Sequence, residues 1–344
     1  MADQTNTALD IEQIINDILA TIEREREREI VSRRFGLFDR KETLEQIGEL
    51  LGITRERVRQ LEKSVITRLK ATAEKDLPHV SDIQAKFIEE LDKTGGVSRV
   101  SNLSAKLSKD NNRIDQSRIA FLTLLCPNLA MIDENDHFYH SVGLVKLHNE
   151  KQMKDQVAKI IDAIKKIAEP TTIDKVAEAV KDASQAHVAA LASTSKQLAT
   201  LNGRWGLIKW PMVNPKNIRD KIYVILFENG KPLHFNDIAE AIKKSEFKRK
   251  DVTTQAIHNE LIKDGRFVLI GRGIYALKEW GYKKGTVADI ITEVLKKAGE
   301  PLHRDEIVKR VLKSRHVKET TILLNLQGKA QFKRVAKATY ALAE

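Results

Sequence analysis

A three-residue motif occurs twice near the C-terminus, and the pattern around it repeats as well. Pro232-Leu233-His234 and Pro301-Leu302-His303 carry the same three residues. Upstream of each motif, apolar residues recur at intervals of four, which is typical of a helix. Downstream, each copy begins a polar helix and closes on Tyr-Ala-Leu, at Tyr275–Leu277 and Tyr340–Leu342. The pattern indicates two homologous units of about 60–70 residues rather than one large core.

Two fainter copies of the same unit precede these. One is anchored at Pro170 and ends at Trp205-Gly206-Leu207, and the other runs through Gly95-Gly96 to His137-Phe138-Tyr139. Each unit is predicted to form three helices followed by two short strands. In the best-preserved copy, Gly271-Arg272-Gly273 joins the two strands in a tight hairpin, since glycine accepts a positive φ. Three helices followed by a hairpin predict a winged helix.

The expected fold is therefore mainly α, with an N-terminal helix-turn-helix followed by tandem winged-helix domains that carry small β-hairpin wings. The length of 344 residues suits several domains. The predicted domains are a helix-turn-helix over residues 1–75 and winged helices over 80–148, 152–211, 215–281 and 284–344.

The charge of +11 lies almost entirely in the last third of the chain. Residues 215–344 carry 27 basic and 16 acidic side chains, whereas the two charges nearly balance before residue 215. This asymmetry favours a polyanionic partner such as nucleic acid, with a merely solubilising surface as the alternative. We expect a cytoplasmic protein without membrane contact, because the sequence has no apolar span and its first ten residues carry no export signal.

A helix-turn-helix is predicted over residues 43–70. Thr43-Leu44-Glu45-Gln46 is a capping-box start, and Gly52-Ile53 ends that helix in a tight turn. Thr54 then caps a second helix, on which Val58, Leu61, Val65 and Leu69 form one apolar face. Such a pair of helices places its second member in the major groove of DNA.

The opposite face of the second helix carries side chains suited to base recognition. Arg binds guanine through two hydrogen bonds, Gln binds adenine, and Glu accepts a hydrogen bond from the amino group of cytosine. An ordinary charged solvent face is the alternative interpretation. The residues on this face are Arg55, Glu56, Arg57, Arg59, Gln60 and Lys63.

The segments Glu27–Leu37, Thr43–Gly48 and Gly52–Glu62 together resemble region four of the sigma-70 class of bacterial RNA polymerase sigma factors, over residues 20–72. The resemblance implies that the second helix reads a promoter −35 element and that the domain docks on the flap of the polymerase β subunit. It implies base contacts from Arg55, Glu56 and Gln60, and no promoter melting by the chain alone. The implied backbone contacts are Thr43, Leu44, Arg57, Arg59 and Lys63.

The C-terminal units resemble a second family, the HARE-HTH winged helix of the RNA polymerase delta subunit. The resemblance rests on Gly230–His234, on Arg266–Leu277 and on Gly299–His303, although Ala336-Lys337-Ala338 replaces the glycine-rich turn in the last unit. Basic side chains beside the third helices and wings are candidate phosphate contacts. They are Lys248, Arg249, Lys250, Arg272, Lys318 and Lys333.

The leading hypothesis is a DNA-binding transcription factor that recognises double-stranded DNA, the polymerase core, or both. The alternatives are an adaptor that acts through polymerase contacts alone, and the recognition subunit of a restriction or modification system. No motif for catalysis, a cofactor or a metal is present, since Cys126, His137 and His140 do not complete a ligand set. His234 and His303 are interpreted as capping residues rather than functional ones.

Overall fold

The chain folds into helices and short antiparallel strands. The structure is a computed structural model, and it describes residues 10–182, 184–249, 251–282, 285–313, 315 and 317–343. The chain divides into two compact units, one extending to Lys209 and the other beginning at Trp210. Among the described residues, no helix is long and apolar enough to span a membrane.

Four helices precede the repeats. The first begins at Asp10, whose side chain accepts a hydrogen bond from the backbone N–H of Gln13 at 3.0 Å. The isoleucines at helical spacing along this helix, Ile11, Ile14, Ile15 and Ile18, are buried, and so is Ile22 just beyond its end. The four helices are α1 (Ile11–Ala20), α2 (Glu25–Phe35), α3 (Leu44–Leu51) and α4 (Arg55–Ala73).

Two copies of the repeat complete the first unit. In each, a short strand follows the first helix, and two further helices lead into a two-stranded hairpin. The first copy comprises α5 (Val80–Lys93), β1 (Val97–Arg99), α6 (Val100–Leu107), α7 (Arg113–Leu125), β2 (Leu129–Ile132) and β3 (Ser141–Leu144). The second comprises α8 (Glu150–Ile167), β4 (Thr171–Thr172), α9 (Ile173–Val180), α10 (Gln185–Thr194), β5 (Leu198–Leu201) and β6 (Arg204–Leu207).

The second unit contains the other two copies in the same order of elements. The third copy comprises α11 (Ile218–Asn229), β7 (Leu233–His234), α12 (Phe235–Lys244), α13 (Thr254–Lys263), β8 (Phe267–Leu269) and β9 (Ile274–Leu277). The fourth comprises α14 (Val287–Ala298), β10 (Leu302–His303), α15 (Arg304–Leu312), α16 (Glu319–Gly328), β11 (Phe332–Ala336) and β12 (Thr339–Leu342).

All four sheets share one topology. The orders are β1-β3-β2, β4-β6-β5, β7-β9-β8 and β10-β12-β11, so the last strand of each copy is always central. The predicted fold class is confirmed, whereas the predicted domain boundaries stay a prediction. The expectation of two strands per copy was wrong, because the first strand is only two or three residues long and gives no alternating pattern.

The paired histidines are helix caps, as predicted. His234 Nδ1 accepts a hydrogen bond from the backbone N–H of Asn236 at 3.2 Å, and His303 Nδ1 accepts one from Asp305 at 3.4 Å. The wing of the fourth copy differs from that of the third, as its missing glycines predict. Its strands are joined by a two-residue turn in which Ala338 takes a φ of +55°.

Candidate nucleic-acid interface

The α3–α4 pair has the local structure that its sequence predicts. Thr43 Oγ1 accepts a hydrogen bond from the backbone N–H of Gln46 at 3.2 Å, and Gln46 Oε1 accepts one from Thr43 at 2.9 Å. Gly52 ends α3 with a φ of +62°. Thr54 Oγ1 then caps α4 by accepting a hydrogen bond from the backbone N–H of Arg57 at 3.2 Å. Both helices therefore begin at a polar cap and are joined by a tight left-handed turn.

The apolar face of α4 divides between two cores. Val58 is fully buried with Ile30 and Ile47, which fixes α4 against α2 and α3. Val65 and Leu69 instead join a larger core that also contains residues of α1, α5 and α7. The C-terminal end of the stripe packs elsewhere than on α3, because a 19-residue helix extends well beyond the eight residues of α3.

The opposite face of α4 is open to solvent. Arg55, Glu56 and Gln60 are all exposed, and so are the predicted backbone contacts Arg57 and Arg59. Lys63 and the capping residue Thr43 are exposed as well, while Leu44 at the start of α3 is half-buried. The structure thus brings the predicted residues onto one accessible surface, and their roles in DNA binding stay predictions.

These exposed side chains already contact one another. Glu56 accepts two hydrogen bonds from Arg59, at 2.8 Å and 2.7 Å, and a third from Gln60 Nε2 at 3.3 Å. Arg57 donates to Gln60 Oε1 at 3.4 Å. The bonds from Arg59 lower the pKa of Glu56 to about 2, so the carboxylate stays charged at physiological pH. The network therefore holds the Glu56 carboxylate, the Arg59 guanidinium and the Gln60 amide in contact with one another on the exposed face of α4.

A buried carboxylate joins α2 to α4. Glu27 is 5% exposed and pairs with Arg68 of α4 and with Arg24, the latter at 3.5 Å. The alternating charges over residues 23–29 predict a fully solvated helix, and Glu27 departs from that prediction. It lies three and four residues before Ile30 and Val31, which are buried, so the helical period already places it on the inner face.

The third helix of the first repeat packs against the helix-turn-helix. Arg118 on α7 is 7% exposed, and its Nε donates to the carbonyl oxygen of Leu37 at 2.7 Å. Its guanidinium also lies 2.9 Å from the Glu12 carboxylate on α1. The third helix of a winged helix ordinarily contacts the ligand. Here other parts of the same unit cover the surface of that helix. The unbroken apolar run Ile119–Leu122 is the signal that α7 is buried all round.

The third helix of the second repeat is covered in the same way, by the first repeat. His187 on α10 is buried, and its Nδ1 lies 2.6 Å from the carbonyl oxygen of Gly95. Since a carbonyl only accepts, Nδ1 donates, and the other ring nitrogen, Nε2, shares a hydrogen bond of 3.0 Å with His148 Nε2. A Cβ at Gly95 would lie 2.5 Å from the carbonyl oxygen of Ala186, so the close approach requires glycine.

The third helices of the last two repeats face solvent, with different chemistry. On α13 the exposed residues include Gln255 and Asn259, whose side chains share a hydrogen bond of 3.1 Å. On α16 the most exposed apolar side chain is Leu324, at 68%. Amides suit base edges and distinguish α13, although α13 also exposes Ile262, at 62%, so both helices carry a side chain that suits an apolar partner.

The basic candidates of these two repeats are exposed wherever the structure describes them. Lys248 and Arg249 lie on the loop before α13, and their carbonyl oxygens accept hydrogen bonds from the buried Lys221 Nζ at 2.9 Å and 2.7 Å. Sequence reasoning missed Lys221, which anchors this loop and pairs with no carboxylate among the described residues. Lys250 lies outside the described residues. The remaining exposed candidates are Arg272, Lys318 and Lys333.

Metal chemistry finds no support in the described part of the chain. Within it, no three His, Cys, Asp or Glu side chains are grouped so that they could hold an ion. Cys126 is buried, and burial raises the pKa of its thiol to about 12. This thiol is therefore protonated and unreactive at neutral pH.

Comparison with known proteins places the α2–α4 segment in a family. Residues 24–71 match Sigma-70, region 4, a DNA-binding helix-turn-helix of sigma factors. The chain is 41% identical over 61 residues to RNA polymerase sigma factor SigA of Bacillus sp, covering 17% of this chain and 16% of that protein. It is 50% identical over 46 residues to RNA polymerase sigma factor sigB of Arabidopsis thaliana, covering 13% and 8%.

A third relative gives the same result. RNA polymerase sigma factor RpoD of Helicobacter pylori is 51% identical over 49 residues, which is 14% of this chain and 7% of that protein. The chain thus spans less than a fifth of the length of each of these relatives. The likeness concerns the helix-turn-helix and leaves the four repeats without a counterpart among these matches.

Proposed function

We propose that this protein is a DNA-binding transcription regulator in which α4 reads a promoter element of the −35 kind. The observation that carries the proposal is the exposed Glu56–Arg59–Gln60 network on a helix-turn-helix that matches sigma region 4. Arg55, Glu56 and Gln60 contact base edges in the major groove. The backbone contacts come from Thr43, Leu44, Arg57, Arg59 and Lys63.

The polymerase core is the second partner in this proposal. Relatives that share the helix-turn-helix are named RNA polymerase sigma factors, which supports docking of the same segment on the polymerase, at the flap of its β subunit. The two C-terminal repeats are assigned to the HARE-HTH type and extend the contact along DNA. The cations assigned to phosphates there are Lys248, Arg249, Arg272, Lys318 and Lys333.

The experiment compares a −35-like duplex with a scrambled duplex of the same length, by fluorescence anisotropy. Arg55→Ala and Gln60→Ala each remove one base contact and reduce the preference for the −35-like duplex by about 1–3 kcal/mol. Lys86→Ala is the matched control, because Lys86 is exposed on α5 and lies outside α4. Equal binding of both duplexes by the wild-type chain contradicts the proposal.

A polymerase adaptor that acts mainly through protein contacts is the second candidate. The exposed Leu324 on α16 favours it, because an apolar side chain at this position suits a protein surface better than DNA. Retention of core polymerase by the chain in high salt, lost in Leu324→Ser, together with no measurable duplex affinity, would support the adaptor over the DNA reader.

A further inference from the structure

A cavity in the first unit lies beside the helix-turn-helix. It has a volume of about 750 Å³, within the range of small-molecule sites. Its walls come from three parts of the chain: the loop before α3, the starts of α6 and α7, and the segment that leads into β3. It therefore joins the helix-turn-helix to the first winged helix inside one compact unit.

Three cations surround this cavity. Arg40 and Lys41 come from the loop before α3, and Arg113 is the first residue of α7. All three are exposed, and none forms an ion pair with another described residue. Two carboxylates also line the cavity, but Glu134 is held by Lys196 at 2.7 Å, which leaves Asp39 to oppose the three cations. The unpaired charge at the cavity is therefore positive.

A buried ring nitrogen on the cavity wall has no hydrogen-bond partner. His140 lines the cavity, and its Nε2 is buried without a partner among the described residues. The nearest carboxylate oxygen, on Asp133, is 4.0 Å away, which is too long for a hydrogen bond. A buried polar atom without a partner is rare, and a charge placed near such a ring acts on it strongly.

The start of α6 adds donors to the same wall. Val100 and Ser101 line the cavity, and Arg99 at the cap position makes no side-chain hydrogen bond to the first turn. The carbonyl oxygen of His140 accepts the N–H of Val100 at 2.9 Å, so this turn is tied to the histidine itself. Free N–H groups at the start of a helix favour an anion.

We infer that this cavity binds a phosphoryl group, whose charge Arg40, Lys41 and Arg113 neutralise next to the buried ring of His140. Two sources supply this chemistry, the DNA backbone and a free nucleotide. The backbone is favoured, because Lys41 lies only two residues before Thr43, where the proposed phosphate contact of α3 begins. That preference rests on the proposed function, whereas the phosphoryl site itself does not.

The electrostatics of His140 give the site a spectroscopic readout. Burial lowers the pKa of His140, and the charge of Lys41 lowers it further, against the opposing carboxylates of Asp133 and Glu134. A phosphoryl anion in the cavity would stabilise the protonated ring and raise that pKa. The imidazole resonance of His140, followed by NMR in the selectively labelled full chain, reports the occupancy directly.

The test uses the full chain with two probes, adenosine triphosphate and the pair of duplexes described above. Arg113→Gln removes one cation at an exposed position, and Lys86→Gln on α5 is the charge-matched control outside the cavity. Circular dichroism melts of both variants check that the fold is retained. If the source is DNA, Arg113→Gln weakens both duplexes several-fold and lowers the salt slope by about 0.9, the value for one phosphate.

If the source is a free nucleotide, adenosine triphosphate shifts the His140 resonance of the wild-type chain, Arg113→Gln abolishes the shift, and duplex affinity is unchanged. The inference is overturned if Arg113→Gln and Lys86→Gln behave alike with both probes. The proposed function is tested separately. It fails if the wild-type chain shows no preference between the two duplexes, whereas the cavity is tested by binding of the scrambled duplex and of the nucleotide.

Discussion

At the scale of single residues, the carboxylate of Glu56 organises the side chains on the exposed face of α4. Glu56 holds Arg59 through two hydrogen bonds, and its pKa of about 2 keeps it charged throughout the physiological range. A charged Glu56 repels phosphates but accepts a hydrogen bond from cytosine. If α4 binds DNA as proposed, we expect Glu56 to lower affinity for DNA in general and to raise selectivity.

Glu56→Gln should separate these two effects. Removal of the negative charge and release of Arg59 should strengthen binding to a scrambled duplex several-fold at low salt, while the preference for the −35-like duplex falls. Anisotropy titrations with both duplexes measure the two quantities. Glu74→Gln, an exposed carboxylate at the end of the same helix, is the control. An unchanged preference would show that Glu56 does not contact a base.

Glu27→Ala should destabilise the fold, because it leaves Arg68 without its buried partner. Arg68 is itself 57% exposed and is rehydrated, so the expected loss in the free energy of unfolding is about 1–2 kcal/mol. Glu25→Ala, at an exposed site on the same helix, should change it by less than about 0.5 kcal/mol. Urea unfolding followed by circular dichroism measures both, and equal effects would exclude a role for the Glu27–Arg68 pair.

The sequence was most informative about which single residues are exposed and which are buried. Helical periodicity alone places Glu56, Arg59 and Gln60 opposite Val58, and the structure exposes the first three and buries the fourth. Their mutual hydrogen bonds could not be predicted, because periodicity assigns a face but not a rotamer. For the same reason, three scattered cations at Arg40, Lys41 and Arg113 could not be assigned to one cavity before the chain was folded.

At the scale of elements, the third helices of the four repeats differ in how much of their surface is exposed. α7 and α10 are covered by neighbouring parts of their own unit, whereas α13 and α16 face solvent. The repeated sequence pattern predicts four similar modules. It does not predict which of their faces remain exposed, because that depends on packing between modules. The unbroken apolar run Ile119–Leu122 on α7 and the alanine-rich α10 were the available signals.

The contact between His148 and His187 makes this packing sensitive to acid. Burial lowers the pKa of His148 from its ordinary 6.5, with the charges of His187 and Lys159 acting in the same direction and Asp182 against them. The unfolded chain therefore takes up a proton first, and the free energy of unfolding should fall as the pH drops below about 6.5. The contribution is fully present above that pH.

His148→Gln should flatten this dependence, as thermal melts between pH 5 and pH 8 would show. The pKa of His140 is lowered as well and adds to the slope of the wild-type chain. The difference between the two proteins, rather than the wild-type slope, therefore measures His148. Parallel curves for wild type and variant would rule out the histidine pair as the acid-sensitive contact.

At the scale of the whole molecule, the surplus charge and the helix proposed to recognise bases lie in different units. The helix-turn-helix belongs to the unit that ends at Lys209, whereas the surplus of +11 falls within residues 215–344. Phosphate contacts give affinity with little sequence choice and a steep salt dependence. Selectivity and affinity for DNA should therefore be separable by truncation.

A chain that ends at Lys209 should keep its preference for the −35-like duplex and lose much of its salt dependence. If the five described cations of the second unit each contact one phosphate, the slope of log affinity against log salt becomes shallower by about 4.5. Anisotropy over a range of salt concentrations gives this slope for the truncated and full chains. Identical slopes would place the phosphate contacts in the first unit.

The covering of α7 and α10 changes what selection acts on in these two copies. A replacement on either helix should lower the amount of folded protein in the cell. A replacement on the open side of α13 should leave that amount unchanged and, under the proposed function, should alter binding to DNA. The four copies are thus free to diverge under separate pressures, one on the yield of folded protein and the other on binding.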